Sequence, residues 1–162
     1  MAEILQLAPP IVEPSNARRP ERQAPTIRTD AVYVVFTTIE ATLAAVRVAG
    51  TLAKAMGVPL TLIHFRTVPY PLSVHVSAGR SPLETGDFVE QLREEGFDVG
   101  VRVYVCQNER QAIPLGFKRH SLIVVAGHRS WWPTQAEQWR RKLEAAGHFV
   151  VFVDTSENKT HA

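Results

Sequence analysis

The sequence predicts an open α/β sandwich, a five-stranded parallel sheet with helices on both faces. Three observations carry this reading. Short apolar runs recur along the chain, the pattern of strands covered on both faces. Between them lie segments with apolar residues at spacings of three and four, each opening with Ser, Thr or Asn followed three residues later by Glu or Gln, the signature of a capped helix. The two patterns alternate strictly, which calls for parallel strands joined by right-handed crossovers.

The first strand is Ala31 to Phe36, an unbroken apolar run. Thr37 to Glu40 then reads as a capping box, and Ile39, Leu43, Val46, Gly50 and Ala53 mark the buried stripe of a helix that ends near Met56, stopped by Gly57. Leu60 to Phe65 is the second strand. A second box, Ser81 to Glu84 with Pro82 in the first helical position, opens a helix that continues through Phe88, Val89 and Leu92 to Gly96. Val99 to Val105 alternates with period two, and Asn108 to Gln111 caps a short third helix weakened by Pro114 and Gly116. Leu122 to Ala126 is the most apolar strand. Thr134 to Glu137 caps a fourth helix with Ala136, Trp139, Leu143 and Ala146 on one face, and Gly147 stops it before the last strand, Phe149 to Val153.

Outside this pattern, residues 1–29 hold five prolines among scattered arginines, too little apolar surface to fold around. They are expected to form a disordered arm, read first as a solvated leader with no partner and alternatively as one whose Arg18, Arg19, Arg22 and Arg28 contact an acidic protein partner. Residues 30–155 form the domain and 156–162 a flexible tail. The stretch from Thr67 to Arg80 is longer than an ordinary strand-to-helix connection and reads either as a lid or as a surface loop with a short extra edge strand.

The 162 residues, 45% hydrophobic, suffice for one core. A net charge of only +2 supplies no dense basic field for nucleic acid. Cys106 is the only cysteine, and no apolar run approaches the ~20 residues of a membrane span. Residues 1–30 lack the charged start and apolar centre of a signal peptide. The expectation is a cytoplasmic protein with no membrane or nucleic-acid partner.

Across residues 31–154 the chain resembles the universal stress protein family. The strand Ala31 to Phe36 runs into a helix bearing Ala44, Ala45, Ala49 and Ala53. The segment Met56 to His64 is similar to the family's helix-end glycine followed by a strand ending in histidine, and Ser121 to Gly127 is similar to its penultimate strand and phosphate-loop glycine. The resemblance implies the strand order 3-2-1-4-5 and a ligand crevice between the first and fourth strands. Members that bind ATP carry an aspartate at the end of the first strand and a Gly-x2-Gly-x9-Gly-Ser/Thr run after the fourth. Here Thr37 stands at the aspartate position, and Ser130, Arg140 and Arg141 stand where two glycines and a hydroxyl residue would be. Glycines serve there because backbone N–H groups approach phosphate without a Cβ in the way. In the order 3-2-1-4-5 the last strand is an edge, and Phe149 to Val153 carries no proline or charge to protect it. A homodimer through that strand is expected, as the resemblance also implies.

The segment Gly127 to Thr134 joins a buried strand to a helix N-terminus, where α/β sheets bind ligands. Arg129 and the free amides ahead of the helix suit an anion, and Trp131 or Trp132 suits a planar ring. These tryptophans also resemble the stress-protein-like region of potassium sensor kinases. The competing reading packs both indoles on the fourth helix and leaves Arg129 solvated. His64 and His128 fall at the same sheet edge, but no third ligand accompanies them at a recognisable spacing, so no metal is expected. The candidate ligand-binding set is Thr37, Thr38, His64, Gly127, His128, Arg129, Ser130 and Trp131. Cys106 reads as a small hydrophobe at a strand end. The chain has no Gly-x-Ser-x-Gly elbow, Walker loop or Gly-x-Gly-x-x-Gly, so no catalytic residue is assigned. The expected function is a non-catalytic regulatory or stress-response module that binds a small anionic ligand at the loop between the fourth strand and the fourth helix. The alternative is a nucleotide-binding stress protein, taking ATP or AMP on a degenerate phosphate loop.

Overall fold

The computed structural model describes residues 27–68 and 83–156. Among them the chain forms β1 (Val32–Val35), α1 (Ile39–Met56), β2 (Leu60–Thr67), α2 (Leu83–Glu94), β3 (Val99–Cys106), α3 (Glu109–Gly116), β4 (Leu122–Gly127), α4 (Gln135–Ala145) and β5 (Phe149–Asp154). The strands build one wholly parallel sheet in the order β3-β2-β1-β4-β5, as the alternation and the resemblance anticipate. Most of the expected arm, the connection between β2 and α2, the box at Ser81 to Glu84 and most of the tail lie outside the described residues. Of the arm, Ile27 packs against the core.

The sheet divides the core in two because successive side chains on a strand point to opposite faces. Val32, Val34, Leu62 and Val124 face α1 and α2. Tyr33, Val35, Ile63, Ile123 and Val125 face α3 and α4. In both layers each fully buried aliphatic side chain contributes about 1.5–3 kcal/mol of transfer free energy. Trp139 anchors the second layer, stacked on Phe65 at 4.9 Å between ring centroids.

Three expectations need correction. The N-cap of α1 is Thr38, which accepts a hydrogen bond from the Ala41 N–H, so Glu40 falls one position short of a capping box. Thr37 has instead turned toward the sheet. The buried stripe of α1 is Ala41, Thr42, Ala45, Val46, Ala49 and Ala53, whereas Ile39 is 49% exposed. Small residues win because α1 lies directly over β1 and β4, where close approach leaves no room for longer side chains. Ala146 is exposed and caps α4 without sharing its buried face. The other terminators behave as read. Gly57 adopts φ 66°, and Gly147 at φ 88° follows α4, with His148 N–H returning to the Leu143 carbonyl. Thr134 and Glu137 complete a reciprocal capping box on α4.

Candidate functional site

At the carboxyl edge of the sheet, the connections out of the parallel neighbours β1 and β4 part to opposite faces: the chain leaves β1 into α1 on one face and β4 into α4 on the other. Such a switch point opens a crevice, and a cleft of about 720 Å³ lies there. Thr37 and Thr38 form one lip, Gly127 to Arg129 the other, and Thr134 to Ala136 bring the first turn of α4. Thr155 and Ser156 close the side beyond β5, while Glu40, Leu43 and Arg47 wall it from α1.

Thr37 sets the floor. Its hydroxyl donates to the Ala126 carbonyl at 3.1 Å and its N–H donates to the Thr42 hydroxyl at 3.1 Å. This clamp ties the end of β1 to β4 where the two strands part, and it needs a donor at position 37. An ionised carboxylate has no proton to give, so threonine makes a bridge here that an ionised aspartate could not.

Gly127 also has a local explanation. A Cβ built on it would stand 2.3 Å from the Ala136 Cβ, so the residue is glycine because α4 crosses the end of β4 at contact distance. The space next to it is filled by protein.

Beyond Gly127 the loop is open. His128 and Arg129 are exposed and line the cleft. The Arg129 N–H donates to the Ser156 hydroxyl at 3.2 Å, and its guanidinium lies 3.7 Å from Asp154. The Ser156 hydroxyl and N–H hold the Asp154 carboxyl below its ordinary value, with smaller help from the Arg129 backbone and charge. A small turn beyond β5 thus fixes the base of Arg129.

The structure brings Thr37, Thr38, Gly127, His128 and Arg129 into one cleft and leaves the other candidates outside its lining. His64 packs its ring on Phe36, 4.6 Å between centroids, on the α2 side of the sheet. Ser130 and Trp131 lie beyond the rim. Trp131 and Trp132 are 91% and 75% exposed, so neither indole packs on α4. Arg140 and Arg141 belong to α4 itself, since the helix begins at Gln135 and leaves no room for a long phosphate loop. Arg140 lies over the Phe152 ring at 5.8 Å and pairs with Glu144.

Sequence reasoning missed Arg47, Gln135, Thr155 and Ser156. Glu40, Leu43 and Arg47 recur at helical spacing, a signal that was available. Ser156 was reachable only by asking which residues follow the neighbouring strand at the same edge. Among the described residues no three or more His, Cys, Asp or Glu side chains gather as metal ligands, and no helix is long and apolar enough to cross a membrane.

No protein-family model and no curated protein matches the chain. Among solved structures it is similar to a universal stress protein from Archaeoglobus fulgidus. The match has 17% identity and a TM-score of 0.55, and covers 79% of this chain and 95% of that one. The five-strand order, the two-sided helical cover and this likeness together show that the chain has the universal stress protein fold.

Proposed function

We propose that the protein is a non-catalytic regulatory module of the universal stress type that binds a small anion in the β1–β4 cleft. The observation that carries this reading is the convergence of two helix N-termini, those of α1 and α4, on one cleft rimmed by Thr38, Thr134, Thr155 and Ser156 hydroxyls. The first amides of each helix have no carbonyl partner within the helix, and their dipoles favour negative charge. Arg47 and Arg129 lie at opposite sides, each held in a long exposed ion pair at 3.6 and 3.7 Å, so a ligand anion competes with a weak partner. The nucleotide alternative is less well supported, since no Phe, Tyr or Trp among the described residues lines the cleft and Gly127 turns its open side to Ala136. The lone Cys106 suits a reducing cytoplasm. A homodimer through β5 completes the reading, because that edge strand lacks protective charge or proline from Phe149 to Val153.

The test is calorimetric titration with inorganic phosphate, pyrophosphate and ATP, beside mass spectrometry of any ligand released from gently isolated protein. The sensitive variant is Gln135→Pro. Proline at the first helical position keeps the helix and deletes one amide donor, and Thr134 already has the extended ψ of 164° that a following proline requires. Anion affinity should fall about tenfold, the worth of one charge-assisted hydrogen bond. No released ligand together with no anion binding at millimolar concentration would sink the proposal.

A further inference from the structure

On the face opposite α1 and α2, a groove of about 500 Å³ runs between α3 and α4, at a distance from the cleft and sharing no residue with it. Its floor is apolar, made of Ile113, Pro114, Ala145 and Ala146, and its polar lining is entirely cationic: Arg110, Arg141 and Lys142. Lys142 is engaged by Glu109. Arg110 and Arg141 are exposed and form no ion pair with any described residue. Pro114 and Leu115, the latter 72% exposed, carry the apolar surface on around α3.

We infer that this groove is a docking site for an acidic amphipathic helix of a partner protein. An apolar trough with cations along its rim is the complement of a helix with an apolar stripe flanked by carboxylates, and charge of one sign selects that partner and speeds encounter. The eight residues of α3 span roughly 12 Å, which accommodates about two turns of a bound helix, with apolar anchors at i and i+4. A second copy of this chain fits poorly. Its exposed acidic face, Asp87, Glu90 and Glu94 on α2, has its apolar residues Phe88, Val89 and Leu92 turned into its own core, so it offers the charge without an apolar side chain to fill the trough.

The experiment is an amide-shift titration of the isotopically labelled full chain with a synthetic helical peptide carrying leucines at i and i+4 and flanking glutamates. The same peptide with lysines replacing the glutamates is the control. The acidic peptide should move the amides of Ile113, Leu115, Ala145 and Ala146, while the lysine peptide should not. The double variant Arg110→Glu/Arg141→Glu should lose at least tenfold in affinity for the acidic peptide and gain affinity for the lysine peptide. That reversal also shows that the variant is folded. Equal binding of both peptides, unchanged binding by the double variant, or no shift at millimolar peptide would each overturn the inference. Groove amides that move with protein concentration alone, or that contact residues 1–26, would assign the groove to a second copy or to the chain's own N-terminus and overturn it as well.

Discussion

Replacing Gly127 with alanine should destabilise the protein more than any other single added methyl among the described glycines. The new Cβ would stand 2.3 Å from the Ala136 Cβ, at least ~1.2 Å inside the 3.5–4.0 Å optimum for carbon pairs. Neither side can yield cheaply. Gly127 ends a strand buried at every residue, and Ala136 is 4% exposed and has no rotamer to rotate away. By contrast, a Cβ on Gly116 would meet the rim of the Phe65 ring at 2.9 Å, and a ring can tilt. Relief at Gly127 therefore requires moving the first turn of α4 off the sheet. Overpacking of this kind costs about 1–3 kcal/mol, and the rigid partners place it near the upper end, which corresponds to a melting temperature lower by roughly 10 °C. Urea unfolding followed by far-ultraviolet circular dichroism measures it. The companion variant Gly127→Ala/Ala136→Gly removes the opposing methyl and should recover at least ~1 kcal/mol relative to the sum of the single changes. A Gly127→Ala protein within about 0.5 kcal/mol of the parent, or strict additivity in the pair, would refute the packing account and restore a ligand-based reason for the glycine.

Other outcomes follow from single contacts. Phe149 N–H and Thr155 N–H bond inward to β4, so by strand alternation Val150 N–H points out from the edge, and Val150→Pro should convert a dimer to monomer in sedimentation while sparing the β4 ladder; a parent that is already monomeric at micromolar concentration sinks the dimer. Thr37→Val should weaken the strand clamp by about 1 kcal/mol and Thr37→Ser should not, a difference readable in denaturant midpoints. The His148 imidazole is pushed below its ordinary value by burial and then by His120, and its Nδ1 accepts the Ser121 N–H at 3.2 Å. The unfolded chain therefore binds this proton first, and stability should fall as pH drops below about 6.5, less so in His148→Asn; a flat profile in the parent contradicts this. Burial pushes the Cys106 thiol up, a hydrogen bond with Thr67 opposes it, and Glu109 raises it further, so alkylation at pH 8 should run several-fold slower than for free cysteine.

The placement of strands and helices was legible because apolar runs and terminator residues report the backbone's own requirements, whereas the sheet order 3-2-1-4-5 came from the family resemblance. Gly57, Gly147 and the Thr134 box act within one turn of themselves, and local chemistry of this kind survives any tertiary context. The buried face of α1 was not legible from hydrophobicity. Ile39 is the larger apolar residue, but the sheet accepts Ala41, Ala45 and Ala49, and the preference comes from interlayer distance, which no single helix encodes. The offset from Thr37 to Thr38 has the same origin. Either threonine can cap a helix, and the choice fell to Thr38 because Thr37 found the Ala126 carbonyl across the sheet. In the candidate site, the residues from the β1 and β4 ends were readable from the rule that ligands meet strand ends. Thr155 and Ser156 were missed although the order 3-2-1-4-5 already puts the end of β5 beside β4, because the turn that seats Ser156 rests on its contacts with Asp154 and the Arg129 N–H.

The two departures from the ATP-binding pattern have one structural consequence. With threonine at position 37, the β1–β4 gap is bridged by protein where a carboxylate would have remained an open acceptor. With α4 starting at Gln135 and pressed on Gly127, the amides that in a long glycine loop would wrap a triphosphate are replaced by one helix turn. The groups that line the cleft are accordingly helix N-termini and hydroxyls. A helix terminus presents few amides in a fixed fan and suits one anionic group, whereas a glycine loop suits a chain of them. On the proposed reading, absence of the nucleotide motif is compatible with an anion site, and the ligand expected in the cleft carries a single compact charge and is not an extended polyphosphate.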